Sequence, residues 1–438
     1  SHHLHKLVSN VRLNVRYVFR NRPKDRPKTP IKEKVDKGAV KTAAIIGAGF
    51  IGVELAENLR HRGIETTIVG SRDTILPQFD PEMIEPLQAE LEKNGIRLAL
   101  RAETEAVLED SIKLKDGRVI PADLVVAAIG VVADHHLAVD AGLKIGDAAG
   151  IWVNDQQQTS DPSIYAVGDA AEKTSFLTGS SQMIWLANLA NRHGRLVADV
   201  IAGEHAKARP AIGTGIIGAY GTAAALTGLT EEQAKQLGIN HQVIHLHPGS
   251  HAGYYPGATM VSLKVLFDPE TGKLLGAQGV GKDGVDKRID VLATAIYAGL
   301  TVDDLMNLEL AYAPAFGSAK DAINQTGYVG NNVRTGRTPS IQWHEVAAAQ
   351  AAGALVVDVR SEGEYQNGSI PNAILIPVDD LRDHLDKLVN KEVIVTCAVG
   401  QRGHTATQIL RQHGISVRNL DGGYTTWRSA MDALERDK

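Results

Sequence analysis

Three glycines in the run Gly47-Ala-Gly49-Phe50-Ile51-Gly52 constrain this chain more than any other feature. They follow Lys41-Thr-Ala-Ala-Ile-Ile46, an apolar run that reads as a buried strand. They open a segment of helical character that runs through Arg62 and stops at Gly63. Residues 65–69 then read as a second strand, which completes a βαβ unit. In such a unit the first glycine permits the tight turn, the second lets a pyrophosphate approach the backbone, and the third allows close helix–strand packing. The helix start adds unpaired N–H groups and a partial positive charge. Gly47, Gly49, Phe50, Ile51 and Gly52 are therefore candidate dinucleotide-binding residues, and a purely structural glycine turn is the plainer alternative. Where an acidic residue would hold the ribose hydroxyls, the chain has Gly70, Ser71 and Arg72. The missing carboxylate removes a repulsion against a 2′-phosphate and Arg72 offers it a partner, which points to NADPH over NADH. Against that stands a solvated surface role for Arg72.

At 438 residues the chain is too long for one core, and about three domains are expected. Its 43 glycines accompany an ordinary apolar fraction of 43%, which fits many tight βα turns and argues against disorder. A net charge of −5 argues against a nucleic-acid-binding role for the whole chain. Residues 1–41 nevertheless carry twelve Lys/Arg against three Asp/Glu, with Arg20, Arg22, Lys24, Arg26 and Lys28 separated by prolines. That segment reads as an exposed lead-in, with anion binding as the second reading. No apolar run is long enough for a bilayer span and no signal-peptide core is evident, so a soluble, cytoplasmic protein without membrane contact is expected. A single cysteine excludes an internal disulfide or a two-cysteine redox centre. No metal site is expected.

Further elements follow in order. Asp123-Leu-Val-Val-Ala-Ala-Ile129 is a strand ending at Gly130, and 151–170 read as strand–turn–strand ending in Gly168-Asp169. A helix is predicted over 183–203. Residues 261–267 and 273–280 form a predicted hairpin, followed by a helix over 287–299. Residues 331–340 read as a linker.

The tail carries its own chemistry. Lys391-Glu-Val-Ile-Val-Thr396 is a buried strand that ends at Cys397-Ala398-Val399-Gly400-Gln401-Arg402, with a helix predicted from near Gly403 through Gln412. Loop amides and the helix dipole at the sulfur would favour a thiolate and a persulfide anion. Arg402 offers a forked contact to an anionic substrate, with Ala398, Val399, Gly400, Gln401 and Gly403 around it. An inert buried thiol is the bland alternative for Cys397. Asp358 and Arg360 read as a structural ion pair.

Taken together these runs resemble known families. Residues 41–330 resemble the pyridine nucleotide-disulfide oxidoreductases, in the coenzyme A-disulfide reductase branch. The resemblance rests on Gly47 through Glu57, Ile129-Gly130, and Thr159-Ser-Asp-Pro-Ser-Ile-Tyr-Ala-Val-Gly168-Asp169. It implies that Asp169 binds the ribityl chain of FAD. His251-Ala-Gly-Tyr254-Tyr255-Pro-Gly257 and Leu310 through Asp321 resemble that branch's dimerisation domain. There the tyrosines matching Tyr254 or Tyr255, and Tyr312, reach the partner's active site in a homodimer. Lys320 is a possible phosphate contact. Residues 341–430 resemble the rhodanese family, with Ser369 where that family usually has histidine, and the six-residue loop disfavours phosphate-ester hydrolysis.

The resemblance is incomplete. No second glycine loop precedes residue 41 and the one cysteine is Cys397, so the chain reads either as a truncated family enzyme or as a degenerate member that has lost the flavin-binding half and its redox cysteine. Ala187-Asn-Leu-Ala-Asn191 also departs from the family's Gly-Pro turn. The expected α/β architecture has a basic segment over 1–40, a Rossmann-like nicotinamide domain over 41–150 and a partial flavin domain over 151–210. An α+β dimerisation domain over 211–330, the linker and an α/β rhodanese domain over 341–438 follow. The expected function is an NAD(P)H- and FAD-dependent disulfide or persulfide reductase coupled to sulfur transfer at Cys397, with Tyr255 and Tyr312 assisting. Persulfide, disulfide or thiosulfate-type substrates are expected, and coenzyme A is possible. The alternative is a reductase-dead dimeric scaffold carrying a sulfur-carrier module.

Overall fold

The computed structural model describes residues 13–18 and 31–436, so the basic cluster from Arg20 to Lys28 lies outside the described residues. Contacts divide the chain into two compact units, Ser1–Ile75 with Gly95–Gly215, and Leu76–Asn94 with Ile216–Lys438.

The first unit is built on a five-stranded sheet in the order Leu13–Val18, Leu124–Val131, Thr42–Ile46, Glu65–Val69, Arg97–Ala99. All neighbours are parallel except Leu13–Val18, which runs antiparallel to Leu124–Val131. The central strands are rich in Ala, Ile and Val because a parallel sheet is covered on both faces. Ile46 pairs with Val69 and Ala127, which brings Gly47, Gly70 and the 128–130 segment to one carboxyl edge. A three-stranded antiparallel meander packs Ile112 and Leu114 against Ala44 and Val69. Between 151 and 170 the predicted strands give way to isolated bridges, Ile151 with Ala171 and Gln158 with Tyr165. The Asn154 side-chain oxygen Oδ1 accepts from the amides of Gln156 and Gln158, and the Asp161 carboxylate accepts from that of Ser163. Side chains that capture local amides this way leave no ladder to extend. The following helix is Ala187–Ile201.

The second unit contains a five-stranded sheet in the order Gly215–Ala219, Thr222–Gly228, Leu274–Gly281, Val261–Phe267, Gln242–Leu246. The predicted hairpin is present as Val261–Phe267 against Leu274–Gly281, and the next helix is Val285–Ala298. The predicted linker is shorter than 331–340, because the helix Ala322–Arg334 continues into it. Asn331 and Arg334 both bind the Asp303 carboxylate, which holds that last turn helical. The tail forms an all-parallel sheet ordered Ser340–Ile341, Val417–Leu420, Val393–Thr396, Leu355–Asp358, Ile374–Leu375.

The helix Pro81–Lys93 belongs to this second unit, although its sequence interrupts the nucleotide-binding region. It buries Met83, Ile84, Leu87 and Leu91. A buried charge network accompanies it. The Lys264 ammonium donates to Glu82 at 2.5 Å, Glu231 at 2.6 Å and Asp80 at 2.8 Å. Those three carboxylates are close enough to hold a metal ion, but the ammonium binds all three. His245 Nδ1 donates to Asp421 at 2.6 Å and Nε2 to Glu82 at 3.2 Å. The His245 backbone N–H also donates to Asp421 at 3.0 Å. Asp421 belongs to the tail and His245 to the antiparallel sheet, so this joint fixes one on the other.

Burial opposes a charge on His245, but hydrogen bonds to Asp421 and Glu82 outweigh it and push its pKa up to about 9. The unfolded imidazole loses its proton near 6.5. Stabilisation from this proton is therefore fully present below about pH 6.5 and is lost as pH rises through about 9. Urea unfolding should show stability falling between those values, by on the order of 3 kcal/mol. His245→Gln should remove most of that slope, and equal slopes in both proteins would refute this role.

Candidate functional site

The glycine loop is shaped by what surrounds it. Gly47 has φ +117°, and a Cβ there would fall 2.1 Å from the Ala128 carbonyl oxygen. A Cβ on Gly52 would fall 2.0 Å from the Gly47 oxygen. Both positions therefore require glycine for packing. Gly49 differs, since a Cβ there meets nothing within 4 Å. It caps the helix Phe50–His61, so open space lies over the free amides at the helix start. This cradle fits a dinucleotide pyrophosphate. Phe50 and Ile51 form the first helical positions, and Gly130 (φ +114°) lies on the neighbouring strand Leu124–Val131. Arg72 is exposed, and its carbonyl accepts from the Arg101 amide at 2.9 Å.

Gly168 and Asp169 form a short 3-10 turn, with Gly168 at φ +70°. The buried Lys173 ammonium donates to the carbonyls of Gly168 at 2.5 Å and Ala171 at 2.8 Å. Burial lowers the Lys173 pKa to about 8 against the opposing pull of Asp169. His193 is buried as well, and its Nδ1 has no hydrogen-bond partner. Its pKa is pushed down to about 4 by burial and then by the charges of Lys173 and Arg192. Asp169, Lys173 and the unpartnered His193 nitrogen make a polar set that fits the hydroxylated chain of a flavin. The flavin's ADP half would need a second phosphate cradle, which the described residues do not contain. Lys173 and His193 escaped the sequence reading, although a lysine four residues after Asp169 was a signal available there.

In the second unit the tyrosines separate. Tyr254 and Tyr312 meet through their hydroxyls at 3.5 Å, and both are exposed. That contact raises the Tyr312 pKa. Tyr255 turns away to an edge contact with His251, ring centroids 5.8 Å apart. The partner of Tyr312 is thus Tyr254 and not Tyr255. Tyr312 also lines an open concavity of about 380 Å³ with Lys287, Ala311, Ala313 and Phe316. The cation lining it is Lys287, whereas Lys320 lies over the Tyr328 ring at 5.7 Å.

Cys397 ends the strand Val393–Thr396 and is only 1% exposed. Its Sγ accepts the Gly400 N–H at 3.2 Å. The helix begins at Gln401, earlier than the predicted start near Gly403, because Gly400 caps it in the left-handed region at φ +90°. That conformation turns the Gly400 amide toward the sulfur. Asn419 holds the Gly400 carbonyl at 3.1 Å, and the amides of Tyr424 and Thr425 hold the carbonyls of Cys397 and Ala398. Ala398, Val399 and Gly400 are half-buried, and Gln401 is exposed. Gly403 packs against Asn419, where a Cβ would fall 2.1 Å from its Oδ1. Arg402 is held by both oxygens of Glu364 at 2.6 and 2.7 Å. The Glu364 hydrogen bond raises the Arg402 pKa, with a smaller contribution from the Cys397 sulfur. In return Arg402 holds Glu364 down at about 2. Arg360 grips Asp358 at 2.7 Å and stacks on Tyr424, a structural arrangement. Glu364 as the partner of Arg402 was missed in the sequence, although Ser361 three residues earlier marks a capping box.

A nucleotide-binding α/β unit and a cysteine held at a parallel-sheet edge define a two-part oxidoreductase and sulfur-handling protein. Residues 8–194 match the pyridine nucleotide-disulphide oxidoreductase family, 220–322 its dimerisation domain, and 342–430 the rhodanese-like domain. The chain belongs to the pyridine nucleotide-disulphide oxidoreductase family and carries a rhodanese-like domain. It is 33% identical over 299 residues to a coenzyme A disulfide reductase of Staphylococcus aureus, covering 68% of each chain. It is similar to the structure of reduced Bacillus anthracis CoADR-RHD, with TM-score 0.90 and 42% identity over 92% of this chain and 73% of that one. It is also similar to an NAD-dependent persulfide reductase from A. fulgidus, with TM-score 0.84 and 35% identity over 91% and 75% of the two chains. The family implies FAD and NAD(P)H as cofactors.

Arg72 lends itself to a direct test. Arg72→Ala should lower the ratio of kcat/KM for NADPH to that for NADH by about tenfold, the size of one lost charge-assisted contact. An NADH preference in the unaltered protein would overturn the assignment.

Proposed function

We propose that this chain acts in an NAD(P)H-dependent reductase of small-molecule disulfides and persulfides, with Cys397 as the acceptor of sulfane sulfur. The observation that carries the reading is the Gly400 amide on the Cys397 sulfur, beside Arg402, in a chain of this family. The thiolate attacks the outer sulfur of a persulfide R–S–SH. A Cys397–sulfur bond forms, the S–S bond of the persulfide breaks, and RS⁻ departs to take a proton. Gly400 donates to the anionic sulfur before and during attack, and this preorganised donor costs no rearrangement. Two electrons and a proton then return Cys397 to the thiolate and release hydrogen sulfide. FAD, when bound, relays that electron pair from the nicotinamide. Gly47, Gly49 and Gly52 would shape the coenzyme cradle, and Asp169, Lys173 and His193 would hold the flavin's ribityl end. Tyr254 and Tyr312 offer phenolic protons to a departing sulfur.

Coenzyme A persulfide belongs to the proposed substrate class, with Lys287 offering its charge to a phosphate, and thiosulfate-type donors belong to it as well. The protein works as a homodimer in the cytoplasm. The match to a dimerisation domain supports the dimer, as do Tyr254 and Phe316 at 79% and 75% exposure. No helix among the described residues is long and apolar enough to cross a membrane. Nothing in the comparisons favours the reductase-dead scaffold.

Cys397→Ser should abolish sulfur transfer to cyanide while leaving coenzyme binding within about twofold of the unaltered protein, because the two sites use separate backbone cradles. A serine variant that still produced thiocyanate would refute the assignment. A purified protein without a visible flavin band would favour the scaffold reading instead.

A further inference from the structure

We propose that Glu364 is a specificity-determining residue. By gripping Arg402 at two points it discharges the mouth of the Cys397 loop, and so selects thiol-bound persulfides over small dianionic donors such as thiosulfate. This rests on the reading of Cys397 as the sulfur acceptor.

Arg402 is the one charged side chain in the loop from Cys397 through Arg402, since Ala398, Val399, Gly400 and Gln401 carry none. An anionic donor would use its forked N–H groups. Both arms already reach Glu364, at 2.7 and 2.6 Å. The carboxylate is itself fixed, because Glu364 Oε2 also accepts from the Ser361 amide at 3.0 Å and its hydroxyl at 2.9 Å. Arg402 is thus balanced by a fixed negative charge, and the fork formed by its two terminal nitrogens is taken. Arg360, at the end of the neighbouring strand, is committed to Asp358 and the Gly368 carbonyl.

The two donors meet this mouth differently. Thiosulfate would transfer its outer sulfur to the Cys397 thiolate and leave as sulfite, which carries away both negative charges of the donor. Its sulfonate would meet an Arg402 whose charge Glu364 already balances, and would compete with that carboxylate for the fork of terminal N–H groups. A persulfide R–S–SH brings no second anion. It needs the Gly400 amide for the attacked sulfur, and the half-buried Ala398 and Val399 put no charge beside R.

Glu364→Gln is the informative variant, because glutamine also serves a capping box and so preserves the start of the helix Glu362–Gln366. Thiocyanate formation from cyanide would be followed in the full chain with two donors, thiosulfate and the persulfide of 2-mercaptoethanol. The ratio of kcat/KM for thiosulfate to that for the persulfide should rise about tenfold in Glu364→Gln, mostly through KM. Added salt should depress the thiosulfate rate of the variant more than that of the unaltered protein, because only the variant exposes an unbalanced Arg402. Adding Arg402→Gln to Glu364→Gln should erase the gain. Transfer with an unmoved or lowered ratio would overturn this proposal alone. No thiocyanate from either donor would end the Cys397 reading and this proposal with it.

Discussion

The Lys264 ammonium is out of reach of solvent, and much of the second unit follows from keeping it there. A buried cation is tolerable only with carboxylates in direct contact. Asp80 and Glu82 come from the start of the helix Pro81–Lys93, and Glu231 comes from the short helix Glu231–Gln236. Glu82 then has capacity left for His245, and His245 has a second nitrogen for Asp421. One buried lysine therefore accounts for two otherwise odd facts. A helix from the middle of the nucleotide-binding sequence sits in the other unit, and the sulfur-handling tail is anchored to the antiparallel sheet.

The two chemical loops use the start of a helix in opposite ways. At Gly49 the space above the free amides is open, as a large ligand demands. At Cys397 the backbone closes down until the residue is 1% exposed and one amide touches the sulfur. The first loop leaves room for a large ligand, and the second encloses its sulfur. Glycine serves both, by leaving room at Gly49 and by adopting the left-handed turn at Gly400.

What could be read from the sequence was what short spacing encodes. The glycine loop, the strand into Cys397 and the Val261–Phe267 hairpin each depend on residues within twenty positions of one another. The joint did not show, because its hydrogen bonds from His245 span 163 residues to Glu82 and 176 to Asp421. Periodicity carries no record of such pairs. The contact of Tyr312 with Tyr254, and of Tyr255 with His251, was hidden for another reason, since adjacent residues in an irregular loop point in different directions and composition does not say which. The helix start at Gln401 was missed because a left-handed cap such as Gly400 looks like one more loop glycine. The linker was overextended because Asn331 and Arg334 are typical turn and surface residues until Asp303 is known to bind both.

The paired glycines after Asp421 have a wider consequence. Gly422 and Gly423 both adopt left-handed φ, and neither has room for a side chain. A Cβ on Gly422 would fall 2.7 Å from that of His245, and one on Gly423 would fall 2.5 Å from the Cys397 carbonyl oxygen. A single turn is thus wedged between the antiparallel sheet and the sulfur loop. The tail is for this reason not an interchangeable cassette. A homologous module grafted through the short linker would have to bring a turn that fits His245, and divergence on either face of that contact constrains the other.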